Sequence, residues 1–165
     1  MPEKETLERA REDKREGKSA STQAGEFVHE EIEHVRKGKH GVRSPKQAIA
    51  IGLSKARRAG VKVAAPKKGT ASEETREKAQ RDLSKGKTGE KKTSSTRSRA
   101  TRTALQREGH SGASPKALSK QAKTAASKRT AADRSAAARK AARTKGPAER
   151  SAAAKKAART RAKKS

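Results

Sequence analysis

The residues best placed to do chemistry are the arginines and lysines near the C-terminus, because they recur in a fixed pattern. Asp133-Arg-Ser-Ala-Ala-Ala-Arg-Lys-Ala-Ala-Arg-Thr-Lys145 returns sixteen residues later as Glu149-Arg-Ser-Ala-Ala-Ala-Lys-Lys-Ala-Ala-Arg-Thr-Arg161. Every difference between the copies keeps the sign of the charge. Alanine is the strongest helix former, so each copy is expected to become a helix once its positive charges are neutralised. At about 100° per residue, Arg139, Lys140 and Arg143 then share one side, with Arg134 and Lys145 nearly opposite. Bases all round a helix suit contact with phosphates on both walls of a groove. The plainer reading is a solvated spacer helix, but unbalanced charge of this density is costly without a polyanion. The expected nucleic-acid contacts are Arg134, Arg139, Lys140, Arg143, Lys145, Arg150, Lys155, Lys156, Arg159, Arg161, Lys163 and Lys164. Secondary contacts are expected from Lys37, Lys39, Arg57, Arg58 and Lys116.

What is missing narrows the polyanion. Readers of RNA and single strands stack bases on aromatic rings, and Phe27 is the only aromatic residue in the chain. Base-edge reading draws on rigidly held Arg, Asn or Gln, and the chain has no Asn. Phosphate neutralisation without sequence preference remains, with duplex DNA favoured over RNA.

Other chemistries find little footing. His29, His34, His40 and His110 invite a metal reading, and Glu30 with His34 has i,i+4 spacing. Zinc needs three or four well-spaced ligands, and no second histidine stands at ligand spacing on that helix. Exposed helical and loop histidines are therefore expected, with no metal and no cofactor. No serine lies in a nucleophile elbow and no Gly-rich phosphate loop occurs. Neither an enzyme nor a small-molecule substrate is expected. With no cysteine, disulfides and thiolate sites are excluded.

The elements that must carry these residues are sparse in apolar material. Of 165 residues, 28% are apolar, mostly alanine, and 38% are charged. Such a chain has little with which to offset roughly 1–2 kcal/mol of backbone entropy per ordered residue. The expected fold class is therefore mainly α with extensive disorder, a short helical hairpin followed by a helical or disordered Ala/Lys/Arg-rich tail. The formal charge of +27 is uneven, with a net of −4 over residues 1–33, +11 over 34–90 and +20 over 91–165. Residues 1–21 read as a charged N-terminal helix ending near Gly17. Residues 22–63 read as the hairpin, with Val28, Ile32 and Val35 on one stripe and Phe27 beside it, and Ile49, Leu53 and Ala56 on the other. Ser44, Pro45 and Gln47 supply a capping box and N1 proline for its second helix, and Gly60 ends it. Residues 64–96 read as a basic linker with a short helix at 72–85, loosely docked or free. Residues 97–165 form the tail. No apolar run is long enough to span a bilayer, and with a charged stretch opening the sequence secretory export is not expected.

Two resemblances bear on this reading. Lys46-Gln-Ala-Ile-Ala-Ile-Gly-Leu-Ser-Lys-Ala-Arg-Arg-Ala-Gly60, with the Gly-Lys-His-Gly loop before it, resembles the core of a small bacterial family of uncharacterised domains over about 34–60. That implies a bacterial source and transfers no activity. Residues 113–165 resemble the Ala/Lys-rich arms of linker histones and of bacterial histone-H1-like proteins, through strings such as Ala-Ala-Ala-Lys-Lys-Ala-Ala-Arg. Ser44-Pro45-Lys46 and Ser114-Pro115-Lys116 are similar to the Ser-Pro-basic motifs of histone arms. For Ser44 a helix cap is the better account, and for Ser114 the two readings balance. The expectation is a histone-like DNA-binding accessory protein of the bacterial cytoplasm and nucleoid, neutralising phosphates and compacting or bridging DNA, with a protein partner open to the hairpin. An RNA- or ribosome-associated protein and a hydrophilic stress protein are the alternatives.

Overall fold

The computed structural model describes residues 2–89, 94–144 and 146–162. Eight helices follow one another in them: α1 (Lys4–Arg15), α2 (Ala20–Arg36), α3 (Pro45–Arg58), α4 (Glu73–Thr88), α5 (Ser95–Gln106), α6 (Pro115–Ser127), α7 (Ala131–Thr144) and α8 (Pro147–Ala162). A single 3-10 turn covers Ser111–Ala113. The mainly helical class is as expected, but the extensive disorder is not. Among the described residues most of the chain is helical, the linker and tail included. Counting large apolar side chains misses two things: alanine forms helices without burial, and small residues let elements dock backbone to backbone. Two units are distinguished, one up to Gln121 and one from Ala122.

In the first unit α1, α2 and α3 pack in sequence order, and α4 docks on α3. One cluster joins Ala10, Ala24, Phe27, Ala56 and Val61, with Leu7, Leu53 and Val63 against it; a second joins Val35, Val42, Ala48 and Ala113, with Ile32 and Ile51. The buried line of α3 is thus Ala48, Gly52 and Ala56, while Ile49 is only half-buried. The expected Ile49–Leu53–Ala56 stripe is displaced by one residue. The reason is a close crossing: a Cβ on Gly52 would lie 2.7 Å from the Val28 Cα. Bulky side chains cannot occupy that crossing, so small ones turn inward and the larger ones flank it. Contacts to α4 are equally close, with Ala79 buried, Gly86 against the Arg57 carbonyl, and the Ser54 hydroxyl donating to Asp82 Oδ2 at 2.5 Å.

Helix ends follow the local chemistry. Ser19, Ser44 and Ser72 cap α2, α3 and α4 by accepting from Thr22, Gln47 and Thr75 backbone N–H groups. Gln47 closes the α3 box one residue early, accepting from the Arg43 N–H at 2.9 Å rather than from Ser44. At the end of α2, Gly38 adopts φ +72°, its N–H reaches Val35 O and the Lys39 N–H reaches His34 O. That pair of bonds is a Schellman motif, and it turns the chain back over the last turns of α2.

The returning loop holds a segment assigned by sequence to the tail. Gly41 N–H donates to Leu105 O at 2.9 Å and Val42 N–H to Gly109 O at 2.8 Å. Arg36 donates to Ala113 O, Arg43 pairs with Glu108, and Ala113 is buried. Residues 105–113 therefore belong to the folded unit.

The Gly52 crossing predicts opposite outcomes for two helical glycines. Glycine to alanine ordinarily gains about 0.8–1 kcal/mol in a helix interior. Gly25 on α2 has open space where a Cβ would stand, so Gly25→Ala should stabilise the chain by roughly that amount. Gly52→Ala should instead lower stability by about 1–3 kcal/mol through overpacking. Urea denaturation followed by far-UV circular dichroism measures both, and equal signs would refute the crossing.

Candidate nucleic-acid interface

The repeat forms two helices whose starts are encoded locally. Thr130 accepts from the Asp133 N–H at 3.1 Å while its hydroxyl donates to the Asp133 carboxylate at 2.7 Å, setting the first turn of α7. In α8 Pro147 occupies the first position, and the Arg150 N–H reaches Gly146 O at 3.1 Å. Asp133 and Glu149 both lie in first turns, where carboxylates complement the helix dipole. Beyond those turns each helix carries only positive charge.

Every described side chain of α8 is exposed, as are residues 131–140 of α7. Arg134, Arg139, Lys140 and Arg143 stand on α7, and Arg150, Lys155, Lys156, Arg159 and Arg161 on α8, all exposed. Lys145, Lys163 and Lys164 lie outside the described residues, as do residues 90–93 of the expected linker. Within each helix three bases fall inside about 100° of arc, and the rest face the other way. Arg139 with Arg143 and Lys155 with Arg159 are like-charge i,i+4 pairs, each opposing the helix by about 0.2–0.5 kcal/mol.

The secondary set divides. Arg57 is 7% exposed, and its guanidinium donates to Val63 O at 3.1 Å and Ala64 O at 3.2 Å. Burial pushes its pKa down from the ordinary arginine value. This corrects its expected role, since Arg57 fastens the chain after α3 instead of facing solvent. Lys39 is exposed but paired with Glu3 at 2.7 Å, and Arg58 pairs with Asp82 at 3.6 Å. Lys37 and Lys116 are exposed. Ser114 accepts from the Ala117 N–H at 3.3 Å, capping α6 as Ser44 caps α3.

One cationic surface was missed by sequence. Helix α5 contains Arg97, Arg99 and Arg102, no acid, and no buried residue. Its anchoring at Leu105 to the Gly41 loop is long-range, so the sequence assigned it to the helical or disordered tail. Phe27, conversely, is fully buried, so its ring cannot stack on a base. No helix among the described residues is long and apolar enough to cross a membrane.

A family of unknown function, DUF6496, matches residues 14–69, the stretch running from the end of α1 through α2 and α3 to the turn at Gly69. The chain is similar to that family there, and the matched stretch contains the Lys46–Gly60 string. The repeat helices and α5 lie outside it. No curated protein and no solved structure matches the chain.

The cap geometry of α7 makes a direct prediction. Replacing Thr130 with Val removes the acceptor for the Asp133 N–H and should cost about 1 kcal/mol of local helix stability. Amide exchange in the first turns of α7 should accelerate roughly fivefold by that amount. Exchange in α8 serves as the internal reference, and equal acceleration there would refute the cap.

Proposed function

We propose that the chain is a histone-like nucleic-acid-binding protein without sequence preference, acting on duplex DNA at the bacterial nucleoid. The observation that carries this reading is the exposed surface of α7 and α8, basic on all sides and acidic only in the first turns. Sixteen helical residues span roughly 24 Å, and duplex DNA presents about one phosphate per 1.7 Å of axis. Each base on α8 therefore has phosphates within reach whichever face it occupies. Neutralising them also relieves the like-charge pairs, so DNA stabilises the helices that bind it.

Duplex DNA is favoured over single strands because the buried Phe27 leaves no aromatic platform. Cationic surfaces on both units, α5 in one and α7 with α8 in the other, supply the two attachment points that bridging requires. The stretch matched by the uncharacterised family contributes a rigid module, and a protein partner for it is compatible with this role.

The test is salt dependence. Log K against log[salt] has a slope of about −0.9 per phosphate neutralised on duplex DNA. Replacing Arg139, Lys140, Arg143, Lys155, Lys156 and Arg159 with Gln should shrink that slope by up to about 5 and weaken binding on all sequences alike. Binding that is insensitive to salt and to these substitutions would point to a solvating role. Structured RNA outcompeting random duplex DNA at fixed salt would move the assignment to RNA.

A further inference from the structure

We propose that Glu31, His34 and His40 form a binding site for one divalent transition-metal ion of borderline softness, Zn2+ in the first instance. One donor atom from each residue lies within 4.8 Å of the other two, so small side-chain rotations bring all three to the bond lengths of about 2.0–2.2 Å that one ion takes. The histidines are not the exposed ones that sequence suggested. The His34 and His40 side chains are largely buried at 12% and 15% exposure, and Glu31 is completely buried. His34 and Glu31 come from adjacent turns of α2, while His40 is returned to them by the turn at Gly38. Spacing along one helix cannot reveal such a set.

The geometry asks for a cation. His40 Nδ1 lies 3.2 Å from Gly41 O and its Nε2 lies 3.0 Å from Glu31 Oε1. His40 Nε2 thus faces a carboxylate that is completely buried. A backbone carbonyl on the far nitrogen is also the usual way a ligating histidine is oriented. Neither Glu31 oxygen has an aligned hydrogen bond, although Lys55 stands 2.7 Å from Oε2. Lys55 therefore offsets charge from one side and leaves Oε1 facing the histidines. Imidazole nitrogens with one carboxylate suit zinc and its neighbours and are a poor set for Mg2+ or Ca2+, which take mostly oxygen.

Glu3 adds a neighbouring anion. Its carboxylate contacts His34 Nε2 at 2.9 Å and Lys39 at 2.7 Å. An ion in this site ties the loop bearing His40 to α2. Gly41 and Val42, next in that loop, are the residues bonded to Leu105 and Gly109, so the ion also firms the docking of residues 105–109. This inference is independent of the nucleic-acid reading.

The experiment uses untagged, chelator-stripped full-length protein titrated with Zn2+ against a chromophoric chelator. One equivalent should bind. The ring signals of His34 and His40 should shift in NMR spectra while those of His29 and His110 stay in place. Amide exchange of Gly41 and Val42 should slow. His40→Gln and Glu31→Gln should each weaken Zn2+ by roughly tenfold or more, with helicity checked by circular dichroism, and His29→Gln should leave it unchanged. Should a ligand variant unfold, the ring signals of the wild-type protein decide by themselves. Saturating Zn2+ that leaves the His34 and His40 signals unmoved, or affinity unaltered in a folded His40→Gln variant, overturns the site.

Discussion

Gly52 lies against the α2 backbone at Val28, and the first unit depends on that approach. A chain with so few large apolar residues cannot fill a wide gap between helices, so α2 and α3 close the gap instead. Alanines then suffice: Ala24, Ala48 and Ala56 are fully buried around the crossing. The same closeness traps Glu30 and Glu31, and Lys55 on α3 reaches both, at 3.3 and 2.7 Å. Burial works to raise the Glu30 pKa, but hydrogen bonds from Thr6 and the Glu3 N–H, with the Lys55 charge, prevail and hold it below its ordinary value. Removing Lys55 alone would take a shared cation from two buried carboxylates, which is far costlier than losing an exposed pair.

Local chemistry was legible in the sequence, and long-range chemistry was not. Ser44 and Ser72 cap where their types and positions suggest, and Pro147 starts α8, because a cap involves only the next three or four residues. The buried line of α3 was misplaced by one residue, since periodicity ranks side chains by hydrophobicity and the crossing ranks them by size. Arg57 illustrates another limit: its partners, Val63 O and Ala64 O, are backbone atoms that no pattern of residue types marks. The docking of α5 was missed because the loop that anchors it makes contacts spanning more than sixty residues of chain, and His40 because a turn, not helical spacing, brings it to Glu31.

That loop explains an echo within the sequence. Ser44-Pro45-Lys46 and Ser114-Pro115-Lys116 each follow a glycine and a small or branched apolar residue. The two approaches pack on each other, with a Cβ on Gly112 falling 2.8 Å from Val42 O and 3.0 Å from Ser44 N. Val42 and Ala113 are buried in one cluster. The similarity is thus a pair of matching caps that meet, and each serine starts a helix leading away from the contact.

Charge is partitioned between the units in a way that suits different tasks. In the first unit carboxylates face cations across helices and turns, as Arg9 on α1 faces Glu26 on α2 at 2.6 Å and Lys18, in the turn after α1, faces Asp13 at 2.7 Å, so charge there specifies packing. From Ala122 onward there are fifteen bases and two acids, and both acids sit where they start a helix. Alanine propensity and the caps must hold α7 and α8 against their own repulsion, with no fully buried side chain among their described residues to help. Each i,i+4 repulsion is worth only a few tenths of a kcal/mol, comparable to the propensity gain per alanine, so the balance is close. A partner bearing regularly spaced negative charge tips it by removing the opposing term, and the affinity so gained falls as salt screens the same charges. In the proposed role, helix formation and polyanion binding in this segment would therefore be one equilibrium with one salt dependence.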